Sequence, residues 1–178
     1  MAGLGKDVGN MAYRNKTYIC FDGDTDMHYY RLMQAWKDNE NHDFNFNNAH
    51  DLNTARDSSQ EESIKRQLRE RFANSKLLIV LIGEKTKLLT KFVKWEMEVA
   101  LRLDLPIIGV NLNGSRDRDD RCPPAIRDEL VVYVPYNQTI IAYAIDDWPS
   151  SHQSYRAQGK TGPYVYNDSV YQRLGTAA

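Results

Sequence analysis

Apolar and polar positions fall along this chain in blocks whose period changes from one block to the next. Thr17 to Phe21, Leu77 to Gly83, Pro106 to Leu112 and Val131 to Val134 are short apolar runs, and Phe44 to Asn47 alternates strictly. Both patterns are those of strands. Asp26 to Asn39, Gln60 to Ala73 and Lys91 to Leu103 instead repeat their apolar residues every three or four positions, as amphipathic helices do. In chain order this reads βαβαβαββ, an α/β class with a mostly parallel sheet covered by helices.

Burial refines the arrangement. Leu77 to Ile82 and Ile107 to Leu112 are nearly continuously apolar, which suits strands buried on both faces, whereas the alternation of Phe44-Asn45-Phe46-Asn47 suits an edge. An edge second strand fits a flavodoxin-like, five-stranded parallel sheet of order 2-1-3-4-5. That order opens a ligand crevice at the carboxyl ends of strands 1 and 3, after Phe21 and after Gly83. Residues 1–15, aperiodic and containing a second methionine at Met11, read as a mobile leader to a domain over 16–147. Residues 148–178 turn polar and rich in Gly, Ser and Tyr, and read as a C-terminal extension packed on that domain. Within it Tyr164-Val165-Tyr166 reads as a short strand and Asp168 to Leu174 as a helical turn. The 60–73 helix has capping-box spacing from Ser59 to Glu62 and helical charge pairs Glu61 with Lys65 and Glu62 with Arg66.

The composition removes several classes. With 178 residues, 23 basic against 24 acidic side chains and a net charge of −1, the chain has no electrostatic footprint for nucleic acid or anionic lipid. Its longest apolar stretch falls far short of the roughly 20 residues a membrane helix needs, and Met1 to Asn10 lacks the apolar core of a signal peptide. The 2 cysteines, Cys20 in an apolar run and Cys122 in a charged loop, have neither metal-ligand spacing nor a disulfide framework. A reducing cytoplasm is the expected location, with no metal and no resident cofactor.

The most informative residue is a carboxylate on an apolar face. At about 100° per residue, Phe92, Glu96, Val99 and Leu103 form one row of the 91–103 helix, flanked by Val93, Met97 and Ala100 and, on the other side, by Trp95. Glu98 falls on the opposite face with Lys91, Lys94 and Arg102, where it is expected to pair with Arg102. A carboxylate on a core-facing arc loses hydration, so either it finds donors at the edge of the core or it lines a cavity where a ligand uses it. The helix follows strand 3, so its first turns border the expected crevice.

Thr90-Lys91-Phe92-Val93-Lys94-Trp95-Glu96-Met97 resembles the Ser-x-Trp-Cys/Val-x-x-Glu-Leu segment of TIR domains. Tyr18-Ile19-Cys20-Phe21-Asp22, Ile64 to Phe72 and Ile79-Val80-Leu81-Ile82-Gly83 are similar to the TIR-like branch of that family. More narrowly, Phe21-Asp22-Gly23-Asp24, Tyr29 to Met33, Ala49 to Asn53 and Leu105-Pro106-Ile107-Ile108 resemble the B-protein family of the Thoeris anti-phage system. The resemblance covers about residues 16–135. It implies a flavodoxin-like TIR fold that acts on NAD as substrate, with Glu96 at the family's catalytic position, Phe92 in place of the usual Trp and Thr90 in place of the usual Ser. It further implies cleavage of the nicotinamide–ribose bond, closure of the product to a cyclic ADP-ribose isomer and a link through that product to a separate effector. A phage-derived trigger and self-assembly through the loop His50 to Ser59 belong to the same expectation. The competing function is a noncatalytic TIR-type interaction module.

Around Glu96 each supporting residue has two readings. Phe21 could stack on a base or nicotinamide, or be core; Asp22 could bind hydroxyls, or open a capping series with Asp24 and Asp26. Gly83 ends strand 3 at the crevice. Phe92 and Trp95 could wall a ribose pocket or simply pack. Arg56 could contact a phosphate from a loop that is otherwise solvated, and Arg116 to Arg121 is expected to be a charged loop rather than a pyrophosphate site. Other motifs fail on their spacing. The Asp22-Gly23-Asp24 pair has Asp26 where a haloacid dehalogenase-type phosphotransferase has Thr. The same acids lack the Gly and Glu of an EF-hand, and Gly159-Lys160-Thr161 has Ser154 where a P-loop needs glycine. Strand 3 ends in Gly83-Glu84 without the acceptor Asp of a receiver domain.

Overall fold

The computed structural model describes residues 16–39, 46–47 and 61–176. Its elements in chain order are β1 (Lys16–Cys20), α1 (Met27–Asn39), β2 (Phe46–Asn47), α2 (Glu61–Ala73), β3 (Ser75–Ile82), α3 (Phe92–Arg102), β4 (Ile107–Asn111), β5 (Val131–Pro135), α4 (Gln138–Ala157), β6 (Pro163–Val165) and α5 (Asp168–Arg173). The sheet runs β2-β1-β3-β4-β5-β6, and every pairing is parallel. β1 therefore lies between β2 and β3, and the winding direction reverses between β1 and β3. That reversal leaves a crevice beyond their carboxyl ends.

The strand side chains divide by period two into the two layers of the core. Tyr18, Cys20, Leu78, Val80, Ile82, Val131 and Tyr133 pack with Ile64, Leu68 and Phe72 of α2 and Val93, Met97 and Ala100 of α3. On the other face Ile19, Phe21, Leu77, Ile79, Leu81, Ile108 and Val110 pack with Tyr30 and Met33 of α1 and with the α4 residues Ile140, Ile141, Ala144 and Trp148. β3 is apolar on both faces because helices cover both. Gly109 has a steric role: a Cβ there would lie 2.7 Å from the Tyr133 ring carbons of the neighbouring strand, so the ring occupies the space glycine leaves.

Six strands replace the five expected, because Pro163–Val165 adds to β5 with Val131 opposite Pro163 and Tyr133 opposite Val165. The expected break between Asp147 and Trp148 falls inside α4. Asn137 caps that helix by accepting from the Thr139 and Ile140 amides at 3.0 and 3.3 Å, and the helix runs through Pro149 to Ala157. Trp148 is buried there, and its ring centroid lies 6.1 Å from Tyr155 and 5.9 Å from Tyr164, while Tyr155 stacks on Tyr164 at 4.5 Å. Aromatic packing between α4 and β6 thus outweighs one backbone donor lost at proline. Residues 1–15, the loop 50–59 and the capping residue Ser59 lie outside the described residues. No helix among the described residues is long and apolar enough to cross a membrane.

Candidate active site

The α3 helix turns Val93, Glu96, Met97, Val99 and Ala100 inward, so Glu96 sits on the buried stripe as the period requires and is only 1% exposed. Glu98 is on the outer face, where it pairs with Lys94 at 3.5 Å; the expected pairing was with Arg102. The Glu62 carboxylate likewise approaches Lys65, at 4.0 Å, alongside the Glu61–Lys65 pair at 2.8 Å.

Inside the core Glu96 meets β1. The Tyr18 hydroxyl donates to Glu96 Oε1 at 2.9 Å, and the Tyr18 ring is held by stacking on Phe72 of α2, centroids 4.1 Å apart. Two residues along the strand, the Cys20 thiol lies 3.8 Å from the Val93 carbonyl, one helical turn before Glu96, and also interacts with the Glu96 carboxylate. Burial, and next the negative charge of Glu96, push both the phenol and the thiol well above their ordinary values, while the Arg71 charge pulls the phenol slightly back. Both groups therefore remain neutral donors. The arrangement is a buried carboxylate supplied with donors by the first strand.

At the rim itself, Asp22 and Asp26 follow β1. The Asp22 carboxylate accepts from the Asp24 amide at 3.0 Å and from the Thr25 hydroxyl at 2.8 Å, and its backbone carbonyl accepts from the Asp26 amide at 2.9 Å. These bonds shape the turn into α1, which is the capping alternative for that residue. Asp26 is 6% exposed, and its Oδ2 has no hydrogen-bond partner among the described residues. Its carboxyl fills the place a Gly83 side chain would take: a Cβ on Gly83 would lie 2.2 Å from Asp26 Oδ2. Burial, with the Asp22 charge second, holds the Asp26 carboxyl above its ordinary range. Below Gly83, Thr86 is fully buried; its hydroxyl accepts from the Gly83 amide at 2.8 Å and donates to the Leu81 carbonyl at 3.3 Å.

The remaining sequence candidates separate. Phe21 is on the opposite face of the sheet from Glu96, stacked on Tyr30 at 4.7 Å in the α1/α4 layer, because adjacent strand residues point to opposite faces. Phe92 and Trp95 are half-buried against the Glu96 layer. Trp95 faces α2, edge-on to Phe72 at 6.5 Å and under the Arg69 guanidinium at 5.6 Å. Arg56 lies outside the described residues. Arg116 is taken up by the Tyr171 ring at 3.9 Å and by Asp168 at 3.2 Å, and Arg118 by the Arg127 carbonyl and Asp128, so the first cation ties the loop to α5 and the second ties it to the segment before β5. Sequence reasoning missed Tyr18, Asp26 and Thr86 as parts of the site. The available signal was weak: a phenol within an otherwise apolar strand run, which needs a polar partner once buried.

A cavity of about 470 Å³ lies elsewhere, between the carboxyl ends of α2 and α3, lined by Arg69, Phe72, Ser75, Val99, Arg102 and Leu105. Ser75 begins β3, so this cavity is at the end of the sheet opposite the crevice, and Glu96 does not line it. Among the described residues no group of three or more His, Cys, Asp or Glu side chains converges as a metal centre would require.

The family model described as Thoeris protein ThsB, TIR-like domain, matches residues 18–117, more than half of the chain. The matched segment contains β1 from Tyr18 onward, β3, α3 and β4, and with them Asp22, Gly83 and Glu96. No curated protein matches the chain.

Proposed function

We propose that this chain, which belongs to the Thoeris ThsB TIR-like family, is a cytoplasmic enzyme that cleaves the nicotinamide–ribose bond of NAD and closes the product to a cyclic ADP-ribose isomer. Membership implies a role in Thoeris anti-phage defence, and the family is associated with NAD processing. The single observation that carries the reading to this chain is Glu96: a carboxylate buried on the helix after β3 and bonded to Tyr18 of β1, one of the two strands between which the winding reverses.

One carboxylate is enough for this chemistry. Glycosidases that expel an alkoxide use a second acid to protonate it. Nicotinamide leaves a cationic ribosyl pyridinium as a neutral amine, so no general acid is required. A single glutamate can bind the ribose hydroxyls and stabilise the oxocarbenium-like charge as the C–N bond breaks. Attack by water then gives ADP-ribose; attack by another group of the same folded ADP-ribose closes a ring, which exclusion of water favours. The cyclic product carries the signal to the effector.

The depth of Glu96 supports a second reading, a noncatalytic interaction module, because a fully buried and hydrogen-bonded carboxylate also serves as a core anchor. Product identification separates the two. Purified protein, assayed across a range of concentrations, is incubated with NAD and the nucleotides are identified by mass spectrometry. The enzyme reading expects a cyclic ADP-ribose isomer that disappears in Glu96→Gln, whereas the module reading expects NAD unchanged in both.

A further inference from the structure

We infer that Tyr18 is a positioning residue for Glu96: its hydroxyl, aimed by the stack on Phe72, fixes the carboxylate's orientation and favours its ionised form in the core. This rests on the catalytic reading of Glu96 given above.

The geometry is specific. The bond of 2.9 Å runs from the middle of β1 to the inward face of α3, two elements separated by 78 residues in the chain. The ring that carries the hydroxyl is parallel to Phe72 within 14°, so the phenol cannot swing away without breaking a core contact. The polar and charged groups around this carboxylate include Tyr18 and Cys20 of β1 and Arg71 of α2, whose charge reaches the Tyr18 phenol; β3 presents the apolar Leu78, Val80 and Ile82 to the same layer. A carboxylate in such surroundings would take up a proton to escape desolvation unless donors favour its charge. The phenol is one such donor, 2.9 Å from Oε1, and burial keeps its own proton in place. A protonated glutamate could not stabilise a developing ribosyl cation, so the catalytic contribution of Tyr18 acts through Glu96 without the hydroxyl touching substrate.

The test reads the carboxyl directly. In protein labelled with ¹³C at glutamate carboxyls, Glu96 is assigned by its loss in Glu96→Gln and titrated in wild type, in Tyr18→Phe and with 3-fluorotyrosine at position 18. Tyr18→Phe keeps the ring and its stack, so the expected change is confined to the bond. The Glu96 midpoint should rise by about one pH unit, a tenfold change in proton affinity, and the acidic limb of the pH–rate profile should move up with it. The more acidic 3-fluorotyrosine, of nearly the same volume, should move the midpoint and the limb down, and it retains the test if Tyr18→Phe does not fold. Midpoints unmoved by both changes in an active enzyme would overturn the inference. Absence of NAD cleavage by wild type at every concentration, together with absence of a cyclic ADP-ribose isomer in phage-challenged cells carrying it, would instead overturn the functional reading beneath it, and the titration, which uses no NAD, distinguishes the two failures.

Discussion

Glu96 and Asp26 are both buried carboxyls, yet their surroundings differ in kind. Glu96 receives a hydroxyl proton donor from β1, whereas Asp26 has an oxygen without a partner among the described residues and the Asp22 charge beside it. Asp26 is accordingly held above its ordinary value of 3.8. The sign follows from linkage: a raised acid contributes stability that is complete below its unfolded value and lost as pH rises through the folded one. Asp26→Asn removes the charge at nearly constant volume, so it should stabilise the protein at neutral pH and flatten the fall in stability above pH ~4, as thermal melts across a pH series would record. A larger gain at pH 4 than at pH 7 would contradict this assignment. Glu98→Gln, on the exposed face and paired with Lys94 at 3.5 Å, should change stability by less than ~0.5 kcal/mol and leave NAD turnover unchanged.

At the scale of elements, the end of β3 and the start of α1 are fitted to one another through Gly83 and Asp26, because the carboxyl lies where a side chain on residue 83 would begin. Gly83→Ala should destabilise the wild type by about 1–3 kcal/mol, and markedly less in an Asp26→Ala background, as measured by denaturant unfolding of the four proteins of a double-mutant cycle. Additive effects would show that the two elements are not coupled there. Gly109→Ala should cost a similar amount through the Tyr133 ring, which cannot retreat while its hydroxyl is within 3.2 Å of the Cys122 sulfur.

The same elements show what the sequence makes readable. Burial on both faces turns Leu77 to Ile82 into an unbroken apolar run, and a 100° rotation per residue separates Glu96 from Glu98, so strand, helix and face are encoded locally. Partners are encoded elsewhere. Nothing near Tyr18 announces that its hydroxyl will meet a residue on the third helix, and nothing in the Asp22 to Asp26 series tells which acid will face Gly83. The run of α4 through Pro149 and the addition of β6 depend on Trp148, Tyr155 and Tyr164 meeting in space, which neither period nor propensity reports.

In the whole molecule, Glu96 is 1% exposed in the single chain, so the catalytic role proposed for it requires that the groups covering it rearrange before a substrate arrives. Assembly of protomers, which the TIR resemblance implies, is a route to that rearrangement and would keep an NAD-consuming protein quiet until triggered. Specific activity should therefore rise with protein concentration, from near zero for a dilute monomer, in an assay paired with sedimentation to report the assembly state. Full turnover by the monomer, independent of concentration, would leave a preformed single-chain site.

That this chain makes a nucleotide signal at Glu96 is tested by mass spectrometry of small molecules from cells carrying wild type, Glu96→Gln or Glu98→Gln, before and during phage challenge. The expected result is a cyclic ADP-ribose isomer that appears on challenge with wild type and Glu98→Gln and is absent with Glu96→Gln at equal protein level. The same product in Glu96→Gln, or none in challenged wild type, would contradict it.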